Sequence, residues 1–242
     1  MAGFDAWRIL VCFVCFTWTP SLADSGQCVW YGQCGLDRVT RKSVNCAYNG
    51  PAKPFQTHHA VSLLKQYCPD LYQGEGTRTC CSDEQLQTLI DSMTVPVQIL
   101  GHCPACLHNF LNIFCYMTCA SDHSQFVTVE RTTPYVDPKT GQKELQVNEV
   151  NYAVTDDFAV GMFNSCAKVW FPSANEPAIS LLCGHSADEC TPQNWLDYMG
   201  NIGNQETPFQ INFNITDKPY INRAGHLVTP QNAPTLPCTP TH

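Results

Sequence analysis

The residues best equipped for chemistry lie in GHCPACLHNFLNIFCYMTCA, residues 101–120, where Cys103, Cys106, Cys115 and Cys119 follow a C-x2-C-x8-C-x3-C pattern around an apolar run. Sulfurs so spaced could hold zinc, cycle as a redox dithiol, or staple an extracellular fold, and the redox compartment decides among these. Zinc needs four converging ligands, and the fourteen cysteines from Cys28 onward are spread along the chain with no second C-x2-C and no H-x3-H partner. Cys103-Pro-Ala-Cys106 has the spacing of a redox pair, but that motif belongs at a helix start after a strand in a reducing setting. Gly184-His185-Ser186-Ala187-Asp188 nearly spells the nucleophile elbow of lipases, with Asp188 where the strained turn needs glycine. It lies between Cys183 and Cys190, a spacing that a disulfide would close into a surface loop. His58-His59 lacks the H-E-x-x-H frame of a zinc protease, and Cys80-Cys81 lacks the His-Asp pair of a secreted phospholipase. Catalysis finds no support in these residues. A secreted lipid hydrolase using Ser186 stands as the alternative from the enzyme class.

The amino terminus sets the compartment. Arg8 precedes an apolar segment from Ile9 to Trp18, and Ser21-Leu22-Ala23 supplies small residues at a cleavage site, so residues 1–23 read as a secretory signal peptide. At about ten residues the segment is too short to span a bilayer, which needs roughly 20. The chain is thus expected in the secretory lumen, with a tethering segment beyond His242 left open. Cys12 and Cys15 leave with the leader; the fourteen cysteines that remain are even in number, as seven disulfides would require. The staple reading therefore prevails, each bridge adding about 2–4 kcal/mol. The formal charge of -8 without a Lys/Arg cluster argues against nucleic acid and anionic headgroups as partners, and eight histidines would offset it in an acidic lumen. Asn214-Ile215-Thr216 is an N-glycosylation sequon.

The elements that must position these residues are legible in part. Ser82-Asp83-Glu84-Gln85 is a capping box, and Leu86, Leu89, Ile90 and Met93 follow at helical spacing, predicting a helix from about Asp83 to Met93. Val61, Leu64 and Cys68 mark an earlier helix; Leu107, Phe110, Leu111 and Phe114 form a stripe that puts Cys115 and Cys119 on the flank of a third. Helical signals dominate the first half. In the second, Thr155-Asp156-Asp157 caps a helix expected to reach about Trp170, Glu176-Pro177 starts a short one, and Thr191-Pro192 and Gly200 bracket another. Phe209, Ile211, Phe213 and Ile215 alternate with polar residues as a half-buried strand; Leu145 and Val147, then Val150, Tyr152 and Val154, alternate similarly, and Phe126 with Val129 suggests one more. The expected architecture is one disulfide-rich α+β domain, residues 24–238, with helices on a small mixed sheet, and 239–242 as a tail or the start of a linker.

The strings CVWYGQCG, NCAYNGPAKP, CCSDEQLQTL, CPACLHNFLNIFCYMTC, SQF, YVDP, LLCG with ADEC, NWLDYM and PFQI, in that order from Cys28 to Cys238, resemble the amino-terminal luminal domain of the Niemann-Pick type C cholesterol transporter family. The cysteine-bearing helix is also reminiscent of folate and riboflavin receptors, so a folate-receptor-like fold is implied and a vitamin binder is the runner-up function. The resemblance implies an apolar pocket that takes a sterol hydroxyl-first, with Asn45 and Gln85 holding the hydroxyl. On spacing alone Gln85 is a capping residue and Asn45 a turn residue. Trp30, Leu107, Phe114, Pro208 and Phe209 match pocket positions, with Leu107 departing from the phenylalanine common in relatives. Leu181 and Leu182, with Pro208 and Phe209, correspond to positions flanking the portal, where exposed apolar side chains would suit docking of a carrier. Gln33 stands where the family has an acid. The implied disulfides are Cys28 with Cys80, Cys34 with Cys46, Cys68 with Cys115, Cys81 with Cys119, Cys103 with Cys238, Cys106 with Cys166, and Cys183 with Cys190. The implied partners are cholesterol or a related sterol, a soluble Niemann-Pick type C sterol carrier, and the rest of a membrane transporter if the chain is its front. The implied setting is the lumen of the late endosome or lysosome, or an extracellular face, with no cofactor.

Overall fold

The computed structural model describes residues 26–38, 40–138, 140–205 and 207–238; the expected leader and the tail from 239 lie outside them. Strands β1 (Cys28–Leu36) and β2 (Ser43–Gly50) form an antiparallel hairpin. Helices α1 (His58–Tyr67), α2 (Asp83–Ser92), α3 (Thr94–Leu100) and α4 (Pro104–Cys119) follow. Then come β3 (Val127–Val136), β4 (Lys143–Val154), α5 (Asp156–Cys166), α6 (Ala178–Cys183), α7 (Pro192–Gly200) and β5 (Gln210–Ile215). This is a disulfide-rich α+β domain.

The long strand β4 organises the sheet. β3 runs antiparallel along one edge, while β2 and β5 share the other: β2 meets it at Cys46–Gln146, and β5 runs parallel to it from Glu149–Gln210 onward. In the β3/β4 ladder, Val129 faces Val150, Arg131 faces Glu149 and Thr132 faces Val147, leaving Glu130 and Asn148 as bulged residues. The bulge at Asn148 shifts the alternation by one residue. Val147 and Val150 therefore both reach the core, and the two alternating patterns expected here merge into one strand.

Helix starts follow their caps. Ser82 Oγ accepts from Gln85 N at 3.3 Å and Gln85 Oε1 accepts from Ser82 N at 2.9 Å, completing the capping box of α2. Asp83 reaches back to accept from Gln56 N and Thr57 Oγ, tying the starts of α1 and α2 together. Thr155 caps α5, which ends at Cys166 rather than near Trp170, because Trp170–Phe171 pair with Glu176–Pro177 in a small antiparallel ladder. For the same reason the short helix begins at Ala178, after Glu176-Pro177. α3 was not foreseen; its Pro96 is in the first turn, where the missing N–H costs no helical hydrogen bond.

Seven disulfides join Cys28–Cys80, Cys34–Cys46, Cys68–Cys115, Cys81–Cys119, Cys103–Cys238, Cys106–Cys166 and Cys183–Cys190, the pairs that the resemblance implies. α4 is their hub: Cys106, Cys115 and Cys119 lie in it and Cys103 caps it. Its buried face is wider than the expected stripe and includes Asn109, Asn112, Ile113 and Met117. No helix among the described residues is long and apolar enough to cross a membrane.

Candidate ligand-binding cavity

Between β2 and β5, beneath α2 and against α4 and α7, lies a cavity of about 310 Å³, at the small end of the usual range for ligand sites. Its walls are mostly apolar: Leu89 and Met93 from α2, Phe114 and Met117 from α4, Met199 from α7, and Pro208, Phe209 and Ile211 around the start of β5. Three methionines give this wall side chains that can re-pack around an irregular apolar body. Sequence reading missed Met93, Met117 and Met199, whose only signal was the helical spacing of core residues.

One end of the cavity is polar. Asn45 lies within β2, not in a turn, and Gln33 faces it across the hairpin. Gln85 Nε2 donates to Asn45 Oδ1 at 2.8 Å. Gln85 Oε1 accepts from Ser82 N, and also from Gly32 N at 2.7 Å. Gly32 has φ +79°, and this bulge in β1 is what brings its N–H to α2. Gln85 thus caps its helix with the oxygen and addresses Asn45 with the nitrogen. Because an amide nitrogen has two hydrogens and an amide oxygen two lone pairs, the Gln85–Asn45 bond leaves one hydrogen on Gln85 Nε2 and one lone pair on Asn45 Oδ1, beside the two hydrogens of Asn45 Nδ2. Gln33 Nε2 donates to Thr88 Oγ at 2.9 Å and adds a third uncharged amide to the same lining.

The other expected residues are placed differently. Trp30 is fully buried but does not line the cavity; its ring packs 5.7 Å from that of Phe209 and its Nε1 donates to Thr118 O at 3.4 Å. Leu107 is half-buried and is also absent from the lining, two turns before Phe114 on α4. Leu182 is buried and Leu181 half-buried in α6, which packs on α7, so the exposure expected of them is not found and neither touches the cavity. Ser186 Oγ donates to Glu189 Oε2 at 2.8 Å inside the Cys183–Cys190 loop, so its hydroxyl serves a turn rather than a histidine base. Cys34, Cys46 and Glu144 cluster closely enough to suggest a metal site, but the two sulfurs are bonded to each other and are not thiolates.

A family model described as the Niemann-Pick C1 N terminus matches residues 25–242. The chain is 39% identical over 233 residues to the pig NPC intracellular cholesterol transporter 1, which covers 96% of this chain and 17% of the relative. It is 30% identical over 225 residues to the human NPC1-like intracellular cholesterol transporter 1, 90% of this chain and 16% of the relative. A fruit-fly relative, NPC intracellular cholesterol transporter 1 homolog 1b, is 29% identical over 204 residues, 81% of this chain and 16% of its own length. The chain thus spans about a sixth of these relatives. Matched along nearly all of its described length, it belongs to the Niemann-Pick C1 N-terminal domain family.

Proposed function

We propose that this domain binds cholesterol or a related sterol hydroxyl-first and takes part in intracellular sterol transport, receiving its ligand from a soluble sterol carrier in the lumen of the endolysosomal system. The observation that carries the reading is the pairing of an apolar, methionine-rich cavity with two coupled, uncharged amides at one end. A sterol has one hydroxyl on a hydrocarbon body. The spare lone pair of Asn45 would accept its proton and the spare hydrogen of Gln85 would donate to its oxygen, while each buried methylene contributes about 0.8 kcal/mol. A fatty ester in place of the hydroxyl has no proton to donate and too much bulk for the amide end. No bond is made or broken. Exchange would pass beside Pro208, which is half-buried, with the rings of Phe209 and Trp30 packed at a tilt behind it. The reading places the domain at the front of a much longer membrane transporter.

The test is equilibrium binding of radiolabelled cholesterol to the purified chain. Asn45→Ala is expected to weaken binding by about 5- to 150-fold, the value of a hydrogen bond lost in a dry site. Cholesteryl ester is expected to compete poorly. Equal competition by ester and free sterol, or full affinity in Asn45→Ala, would overturn the hydroxyl-first orientation.

A further inference from the structure

The sheet has a second face that the cavity does not use. Along β5 the side chains alternate, so Ile211 and Phe213 are buried while Asn212 and Asn214 project from the opposite side. There Asn212 Nδ2 donates to Glu149 Oε1 at 3.0 Å and to Asn151 Oδ1 at 3.2 Å, and Asn151 Nδ2 donates to Glu130 Oε1 at 2.7 Å. Beside this polar row stands a small hairpin in which Tyr220–Ile221 pair with Leu227–Val228, fastened to the sheet by Asn222 Nδ2 donating to Thr128 Oγ at 3.2 Å. A cleft of about 440 Å³ separates hairpin and sheet, and its wall includes Asn214, Tyr220 and Ile221. Ile221 and its cross-strand neighbour Leu227 are 63% and 60% exposed, an apolar surface left in water.

Asn214 is itself exposed and opens the sequon Asn214-Ile215-Thr216. We propose that Asn214 carries an N-linked glycan and that its first sugars lie back in this cleft, roofing the outer face of the sheet. In the transfer, Asn214 Nδ2 displaces the diphosphate at C1 of a polyprenyl-diphosphate oligosaccharide donor. The Nδ2–C1 bond forms, the C1–O bond breaks with its electron pair going to the departing lipid diphosphate, and Nδ2 gives up one proton. The cleft suits what arrives. A pyranose has a C–H face and a rim of hydroxyls; Tyr220 and Ile221 offer surface to the first, and Glu130, Asn151 and Asn222 offer acceptors and donors to the second. Because strand alternation puts Asn214 and Ile211 on opposite faces, the glycan would leave the cavity side open. The inference stands whether or not the cavity holds sterol.

The test expresses the chain in a secreting eukaryotic host and compares it with Asn214→Gln and Thr216→Ala. Intact mass and peptide N-glycosidase treatment should show one glycan at Asn214, lost in both variants. Hydrogen exchange should then be at least about threefold slower at the amides of residues 220–228 in the glycosylated chain than in either variant. Trimming the native protein to a single N-acetylglucosamine should keep most of that protection. An unmodified Asn214 would overturn the proposal, and so would a modified Asn214 with unchanged exchange in the hairpin.

Discussion

Gln85 shows how one side chain can hold a fold and a ligand together without conflict, because the two duties fall on different atoms. Its oxygen takes the N–H groups of Ser82 and Gly32, and its nitrogen faces Asn45. Gln85→Glu keeps two acceptor oxygens and a competent capping box but removes the hydrogens that Gln85 Nε2 offers. It also sets oxygen against oxygen at the 2.8 Å contact with Asn45. The expected outcome is a melting temperature between those of wild type and Gln85→Ala, with cholesterol affinity down by about 5- to 150-fold. Gln85→Ala should lose both properties, because the cap is worth about 1 kcal/mol and the buried Ser82 N–H and part-buried Gly32 N–H lose their acceptor. Scanning calorimetry with a binding titration separates the variants; a Gln85→Glu protein that binds like wild type would remove the nitrogen from the mechanism.

At the scale of elements, Gly200 has a role that its position in the sequence disguised. It reads as a helix stop, yet it is the last residue of α7, and a Cβ there would meet the backbone oxygen of Ile211 at 2.2 Å. α7 and β5 approach so closely that only hydrogen fits between them, and both supply walls to the cavity through Met199 and Ile211. Gly200→Ala should therefore destabilise the domain by about 1–3 kcal/mol and widen the wall, lowering sterol affinity as well. Gly76→Ala, where a Cβ meets nothing within 4 Å, should be near neutral. Urea denaturation of the pair checks this, and equal midpoints would refute the close-packing argument. The same scale shows what sequence could carry. Helices with capping residues were readable because caps are local: Ser82, Thr155 and Thr191 all act as their types suggest. β1 and β2 were hidden. Their pairing breaks register three times, and at two of these points Gly32 and Gly35 adopt positive φ, so the period of two that betrays a strand never develops around Asn45. β5, with one parallel neighbour and no bulge, was plain from alternation alone. The cavity was the least legible part. Its methionines differ from ordinary core residues only in facing a space that elements far apart in the sequence leave unfilled.

For the whole molecule, acidity is the condition that sets stability against architecture. His123 is fully buried against Trp30, with ring centroids 4.8 Å apart, and burial lowers its pKa to about 3. The carbonyls of Tyr116, Met117 and Thr118 oppose the shift only in part, and neither ring nitrogen makes a well-formed hydrogen bond. The unfolded chain takes up this proton as pH falls below about 6.5, whereas the folded chain refuses it until about 3. The stabilisation is therefore complete above pH 6.5 and declines by about 1.4 kcal/mol per unit below it, about 2 kcal/mol by pH 5. Asp122, whose carboxyl is raised by burial, works the other way: it gains stability on acidification as it binds its proton ahead of the unfolded chain. Glu149, lowered by hydrogen bonds from Asn212 and Arg131, loses stability only below the ordinary carboxylate range. Between pH 6.5 and 5 the histidine should dominate, shifting the melting temperature down by about 4–8 °C for a domain of this size. His123→Phe keeps an aromatic ring against Trp30 and has nothing to protonate, so its melting temperature should be nearly flat over that window. Bound sterol would shift both proteins upward by mass action without altering the difference between their slopes. Thermal melts of the two at pH 6.5, 5.75 and 5 decide the matter, and parallel slopes would mean that the acid sensitivity lies elsewhere in the molecule.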